Sequence, residues 1–482
     1  MKKHNLFKIL AIMILVFVVL SWIVPTGHLS GTEIQKAEEL TRVGIWNVFN
    51  LFTVSASSFM IYPFYLITVG LFYLVLNKTG VYQRMVNNFA KKLKKRPKLF
   101  LSITICLFAI ISSVTNLGLM LFLLVPFFIS VILKLGYDKY VALASTIGAI
   151  FVGIVGSTYG YYVSKIINSV LNLDFTSNII AKVALLVVST ALLVVYEFSY
   201  IKKAKAPKSK KEEVKEEIND ELLIETDKKT ERKSWPMILV MVLVLAITFL
   251  SAIAWSAAYG FDVFTKFHET VMGISIGKDF NIIQYILGTP INIGYYAQYG
   301  IKELGTWDYT DLSIMLIFAS LLIGLMYKVK FSDILDSFKD SGKKFAKASL
   351  LIIVAYTLFV LNYYIPVFTT VISWFGDTFN IVTSSLVAIL SSVINIDMMY
   401  VAQGTLATVA GIFNDTALNP ILAVLYQAIY GLTSFFAPTS ILLITGLCYL
   451  NISYKEWMKH IWKFLLELLV VILIVLIILM VI

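Results

Sequence analysis

Two short polar clusters carry the groups in this chain that could do chemistry: Ser112-Ser113-Val114-Thr115-Asn116 and Ser391-Ser392-Val393-Ile394-Asn395. Each interrupts a long apolar run, and each is followed by a methionine at the same offset, Met120 and Met399. Polar, helix-breaking clusters at matching points of two halves are where membrane carriers build their sites. A broken helix aims N–H groups at an anion, and its freed carbonyls and nearby hydroxyls can hold Na⁺. Ser112, Ser113, Thr115, Asn116, Ser391, Ser392 and Asn395 supply groups of that kind, and Ser112, Asn116, Ser391 and Asn395 are the candidate Na⁺ ligands. The competing reading is that each Ser or Thr bonds back to its own helix.

Two further interruptions follow the clusters. Gly156-Ser157-Thr158-Tyr159-Gly160 weakens the helix after the first, since glycine is a poor helix former; small residues at this spacing also suit close helix packing. Ala437-Pro438-Thr439-Ser440 follows the second, where the proline removes a helical hydrogen bond. Gly156, Ser157, Thr158, Pro438, Thr439 and Ser440 are therefore expected to face the two tips. Asp397, two positions past the second tip, is the sharpest single residue. A carboxylate at membrane depth must pair or titrate, so it could bind Na⁺, carry H⁺ or meet a substrate ammonium. At a shallower depth it would be an ordinary interfacial aspartate.

These groups must be positioned by membrane spans. The chain has 482 residues, 59% of them hydrophobic, and several runs of about 20 residues carry almost no charge, the length that crosses a bilayer core. Its net charge of +11 gathers beside the apolar runs and in one linker, which is the positive-inside pattern and not a nucleic-acid footprint. Cys106 and Cys448 are the two cysteines, so neither a disulfide framework nor a metal cluster is indicated. Lys2, Lys3 and Lys8 precede a long apolar run without a small-residue cleavage pattern, which predicts a retained first span with the amino terminus inside.

The predicted fold is an all-α polytopic membrane protein: an inverted repeat with two re-entrant hairpins, two interrupted helices and about nine full spans. The first repeat covers 1–199, with a hairpin at about 99–133 and an interrupted span at about 140–166. The segment 200–235 is a solvated Lys/Glu linker, and 236–482 holds the second repeat, with a hairpin at about 381–413 and an interrupted span at about 419–448. Each arm of the first hairpin is about 14 to 17 residues, short for a crossing. Full spans are placed at 6–24, 59–77, 177–199, 236–258, 312–327 and 348–366 and in the final apolar run, with a charged amphipathic stretch at 328–347 and an outer segment at 261–311. Lysine positions, with Asp377 and Asn414-Asp415 outside, make the two hairpins enter from opposite faces.

The hairpin tips, Leu135-Gly136-Tyr137-Asp138, Phe436-Ala437-Pro438-Thr439-Ser440 and the stretch from Tyr454 to Trp457 together resemble the ion transporter superfamily. Within it the chain is similar to the YfcC-like and C4-dicarboxylate anaerobic carrier (DcuC) families. Related carriers place Ser-Asn-Thr tips on each hairpin, in a different order from here. The YfcC-like pattern has acidic residues where this chain has Leu119, Met120 and Leu121. The resemblance implies a homodimeric inner-membrane secondary carrier. It would move a small organic anion or amino acid by alternating access, coupled to Na⁺ or H⁺ or by exchange, with a C4-dicarboxylate as the alternative substrate.

An enzyme is not indicated: His268-Glu269-Thr270-Val271-Met272 lacks the second histidine of a zinc protease motif, and no nucleotide-binding loop is present. No cofactor beyond a coupling ion is expected. An ion channel is the alternative from another class, since broken helices also line pores.

Overall fold

The computed structural model describes residues 6–30, 33–36, 42–204, 232–275, 291–293, 297–367, 370–371, 374, 380–394, 397–413 and 415–481. Asn395, Asp377, Asn414 and most of the charged linker lie outside the described residues.

Eight described helices are long and apolar enough to cross a membrane. They are α1 (Leu6–Ile23), α3 (Ile61–Lys78), α5 (Pro97–Thr115), α9 (Ile179–Ala204), α10 (Trp235–Ala252), α11 (Tyr309–Met326), α12 (Phe331–Tyr364) and α17 (Tyr454–Val481). Shorter helices lie between them: α2 (Ile45–Phe59), α4 (Val81–Leu93), α6 (Val125–Lys134), α7 (Lys139–Val155) and α8 (161–170) in the first half. In the second half they are α13 (Ile381–Ile394), α14 (Met398–Phe413), α15 (Asn419–Ser434) and α16 (Ile441–Tyr449). Two small antiparallel pairs, Gly27–Ser30 with Glu33–Lys36 and Ile291–Ile293 with Ala297–Tyr299, are the described strands.

Two boundaries differ from expectation. The first arm of the first hairpin is not short: α5 has 19 residues, because Pro97 starts the helix at its first turn, where a proline costs no hydrogen bond. The second arm, α6, has only 10. The expected charged stretch at 328–347 and span at 348–366 are one continuous helix, α12, of 34 residues. No proline interrupts it, and Lys343 and Lys344 at its amino-terminal half do not stop a helix that extends beyond the bilayer. The two interrupted spans are each seen as two helices with a gap, α7 and α8 around 156–160, and α15 and α16 around 435–440.

The helices pack as two groups joined where α12 meets α16. In one, α3 lies against α11 and α12, with α1 and α2 also against α12 and α10 against α11. In the other, α5 packs on α7, α13 on α15, α7 on α15, and α9 and α15 on α17. The first hairpin folds back on itself through Phe128 of α6, which stacks on Phe100 at 6.0 Å and meets Phe108 edge-on at 5.1 Å, both from α5. The contact between α7 and α15 needs glycine: a Cβ at Gly431 would lie 2.4 Å from the Val155 nitrogen.

Gly431→Val should therefore lower the stability of the purified protein by about 1–3 kcal/mol or more, as overpacked cores do. Gly342→Ala, a helical position with nothing within 4 Å of the added carbon, should raise it by roughly 0.5–1 kcal/mol. Thermal unfolding in detergent measures both, and equal behaviour of the two would contradict this packing.

Candidate functional site

Helix α5 stops at the first cluster because Asn116 adopts the left-handed conformation, with φ 50° and ψ 33°, that asparagine tolerates better than most residues. Its backbone N–H and its Nδ2 both donate to Ser112 O at 2.8 Å. Its Oδ1 accepts from Ser157 Oγ at 2.8 Å. Gly160 makes room for this side chain, since a Cβ there would lie 1.6 Å from Asn116 Oδ1. Ser113 Oγ donates to Gly156 O at 2.6 Å, and Thr158 N–H donates to Ser113 O at 3.0 Å. The structure thus brings Ser113 and Asn116 together with Gly156, Ser157 and Thr158. Ser112 is buried close by and donates to Ile150 O at 2.8 Å. Thr115 instead bonds to Ile111 O of its own helix at 2.7 Å.

The second cluster is arranged in a related way. Thr439, in the gap after α15, donates from Oγ1 to Val393 O near the end of α13 at 2.5 Å. Ser391 Oγ lies 2.9 Å from Thr405 Oγ1 of α14, which joins the two arms of the second hairpin. Ser392 Oγ is buried and has no hydrogen-bond partner among the described residues. Pro438 is buried in the gap, and Ser440 stands at the start of α16 without capping it through its side chain.

Gln427 and Lys182 were not singled out from the sequence, and the Tyr454–Trp457 stretch gains a structural role. Gln427 of α15 is fully buried; its Nε2 donates to Val155 O at 3.2 Å and its Oε1 accepts from Ser164 Oγ at 2.9 Å. Ser164 Oγ lies 3.0 Å from Ser157 Oγ, so a polar chain runs from Gln427 in the second half to Asn116 in the first. A lone amide in an otherwise apolar run was the available signal. Tyr454 OH donates to Phe436 O at 2.5 Å and Trp457 Nε1 to Phe435 O at 2.8 Å, so two residues of α17 satisfy carbonyls left over by the second gap. Lys182 of α9 is fully buried, with no hydrogen-bond partner for Nζ among the described residues. It lies one turn from Leu186, which abuts Gly156.

Asp397 is exposed, and it starts α14, accepting the Met399 N–H on Oδ1 at 2.9 Å. Its charge acts on the phenols of Tyr62 (α3), Tyr309 (α11) and Tyr356 (α12) from one group of helices, and of Tyr162, Tyr400 and Tyr430 from the other. Tyr62 stacks on Tyr356 at 5.2 Å and meets Tyr309 edge-on at 4.8 Å. The carboxylate's charge thus reaches phenols carried by several helices. Among the described residues no cluster of three His, Cys, Asp or Glu could hold a metal ion.

The family model for the C4-dicarboxylate anaerobic carrier matches residues 4–481. No curated protein matches the sequence. The YdaH transporter of Alcanivorax borkumensis aligns at 12% identity with a TM-score of 0.42, covering 98% of each chain. MtrF of Neisseria gonorrhoeae, from a class of antimetabolite efflux pumps, aligns at 12% identity with a TM-score of 0.41, covering 99% of this chain and 95% of that one.

If the polar chain is continuous, Ser164→Ala and Gln427→Leu will not act independently. A double-mutant cycle in thermal stability should show a coupling of about 0.5–3 kcal/mol, whereas additive losses would mean that the two side chains do not interact.

Proposed function

The chain belongs to the C4-dicarboxylate anaerobic carrier family, and from that premise we propose that it is a secondary active carrier of a small organic dianion, a four-carbon dicarboxylate first. The observation that carries this reading is the pairing of each gap with a hairpin end: Thr158 N–H on Ser113 O in one half, Thr439 Oγ1 on Val393 O in the other, with α7 and α15 back to back. Gaps of this kind leave amide N–H groups and hydroxyls to bind carboxylates, while carbonyls remain for a cation. In this reading the two halves are inverted repeats, the hairpins enter from opposite faces, the amino terminus is inside and the carrier works as a homodimer in the cytoplasmic membrane. The two tips exchange access, and Ser112, Asn116 and Ser391 are the described members of the Na⁺-ligand set.

A dianion needs a counter-charge. Lys182, buried and without a hydrogen-bond partner among the described residues, is the group we assign to a substrate carboxylate, because an uncompensated ammonium in this surrounding is unfavourable by several kcal/mol. Asp397 would repel the dianion until a cation neutralises it, which makes it the residue for the coupling ion, Na⁺ or H⁺. A second reading has one specific observation in its favour: Asp397 is an exposed carboxylate whose charge reaches the phenols of Tyr62 and Tyr400, and such a carboxylate attracts an ammonium, so an amino-acid substrate would place its ammonium at Asp397.

Uptake into proteoliposomes separates these. With labelled succinate, saturable uptake is expected that Lys182→Gln lowers at least about tenfold, the equivalent of 1.4 kcal/mol, while Asp397→Asn loses the dependence on a cation gradient. Exchange of arginine or ornithine with no succinate uptake would replace the dicarboxylate by an amino acid. Flux that does not saturate would point to a channel.

A further inference from the structure

Away from both tips, α9 and α17 pack along one another, and where they meet Glu197 faces His460. Nε2 of the imidazole lies 3.0 Å from Oε1 of the carboxylate, and the side chains are 3% and 0% exposed. Neither Glu197 Oε2 nor His460 Nδ1 has a hydrogen-bond partner among the described residues. Aromatic rings enclose the pair: Tyr140 stacks on the imidazole at 5.6 Å, Tyr200 meets it edge-on at 4.4 Å, and Trp457 lies at 5.8 Å.

Charge decides what this pair can do. With one proton between them the two groups are net neutral, whichever carries it. A second proton leaves a buried cation and loss of the first leaves a buried anion, and each of these is strongly disfavoured away from water. Other titratable groups stand nearby. Asp138 acts on Glu197 and accepts Tyr200 OH at 2.9 Å, while Glu467 acts on Tyr196. Lys139 lies over the Tyr140 ring and Lys98 over the Phe198 ring.

The pair is also tied to both broken helices. One turn before His460, Trp457 holds Phe435 O, and Tyr454 holds Phe436 O. One turn after Glu197 on α9, Tyr200 holds Asp138, whose Oδ1 caps the start of α7 through the N–H groups of Tyr140 and Val141.

We propose that Glu197 and His460 form an occluded proton site, separate from Asp397, which takes up or releases its proton when α9 and α17 part, so that proton movement is linked to both broken helices. The role in transport rests on the carrier reading above; the binding of the proton does not.

The proton can be counted without any substrate. Well above about pH 6.5 an unfolded Glu and His together hold almost no proton, so a folded chain that holds one loses stability as pH rises. Thermal stability of the purified protein between about pH 7 and pH 8.5 should fall more steeply in wild type than in Glu197→Gln, by the slope of one proton. His460→Gln should instead show a falling slope that begins near pH 4.5, where an unfolded Glu ionises and a buried one is held back by the loss of water. Equal slopes in wild type and Glu197→Gln, or a flat His460→Gln, would overturn the site.

In proteoliposomes, the ratio of succinate uptake with a proton gradient to uptake without it should exceed one for wild type and return to one for Glu197→Gln. A ratio of one in wild type, or an unchanged ratio in the variant, removes the link to transport. Absence of saturable uptake in wild type instead removes the carrier reading and leaves the stability slopes to decide the proton site.

Discussion

Backbone groups freed inside an apolar environment must find partners, and the organisation of this chain follows from how the partners are supplied. Four helices end beside the polar clusters and gaps, at Thr115, Val155, Ile394 and Ser434. At each described gap the sequence places a residue that can satisfy the loose ends without closing the gap. Asn116 does so for α5 with its own amide, Thr158 reaches across to Ser113 O, and Tyr454 and Trp457 reach in from α17. A gap whose backbone is only partly satisfied retains donors and acceptors for a ligand, which is the physical basis for treating these positions as a site.

The two halves solve this problem with related parts. A threonine in the gap of each interrupted span reaches a carbonyl in the last turn of its own hairpin helix, Ser113 O in one case and Val393 O in the other. The solutions are not identical. In the first half the backbone N–H donates and Asn116 Oδ1 is engaged by Ser157; in the second the hydroxyl donates and Ser392 Oγ stays without a partner among the described residues. Gln427 adds to the difference by reaching from α15 into the first gap.

Much of this was legible in the sequence, for reasons that can be stated. Long apolar runs have one stable form in a bilayer, so spans such as α1 and α3 could be placed within a few residues, and glycine or proline beside hydroxyls marked both gaps. The Leu135-Gly136-Tyr137-Asp138 signature acquires a mechanism: Gly136, at φ +87°, turns the chain after α6 and Asp138 caps α7. Hydrophobic patterning could not separate a short hairpin arm from a full crossing, because α5 is apolar up to its last turn and only Pro97 fixes where it starts. It also could not show long-range pairing. Gln427, Lys182, and Glu197 with His460 are single polar residues in apolar or basic stretches, and what they meet depends on which helices touch.

Where a bound dicarboxylate sits is the most direct measurement, by cryo-electron microscopy of the protein with succinate and Na⁺. Density between the gaps at 156–160 and 435–440, within hydrogen-bond reach of Ser157 or Thr439, is the result that follows from the two broken helices forming one site. Density confined to the helices of the other group, α3, α11 and α12, with both gaps unchanged, would contradict it.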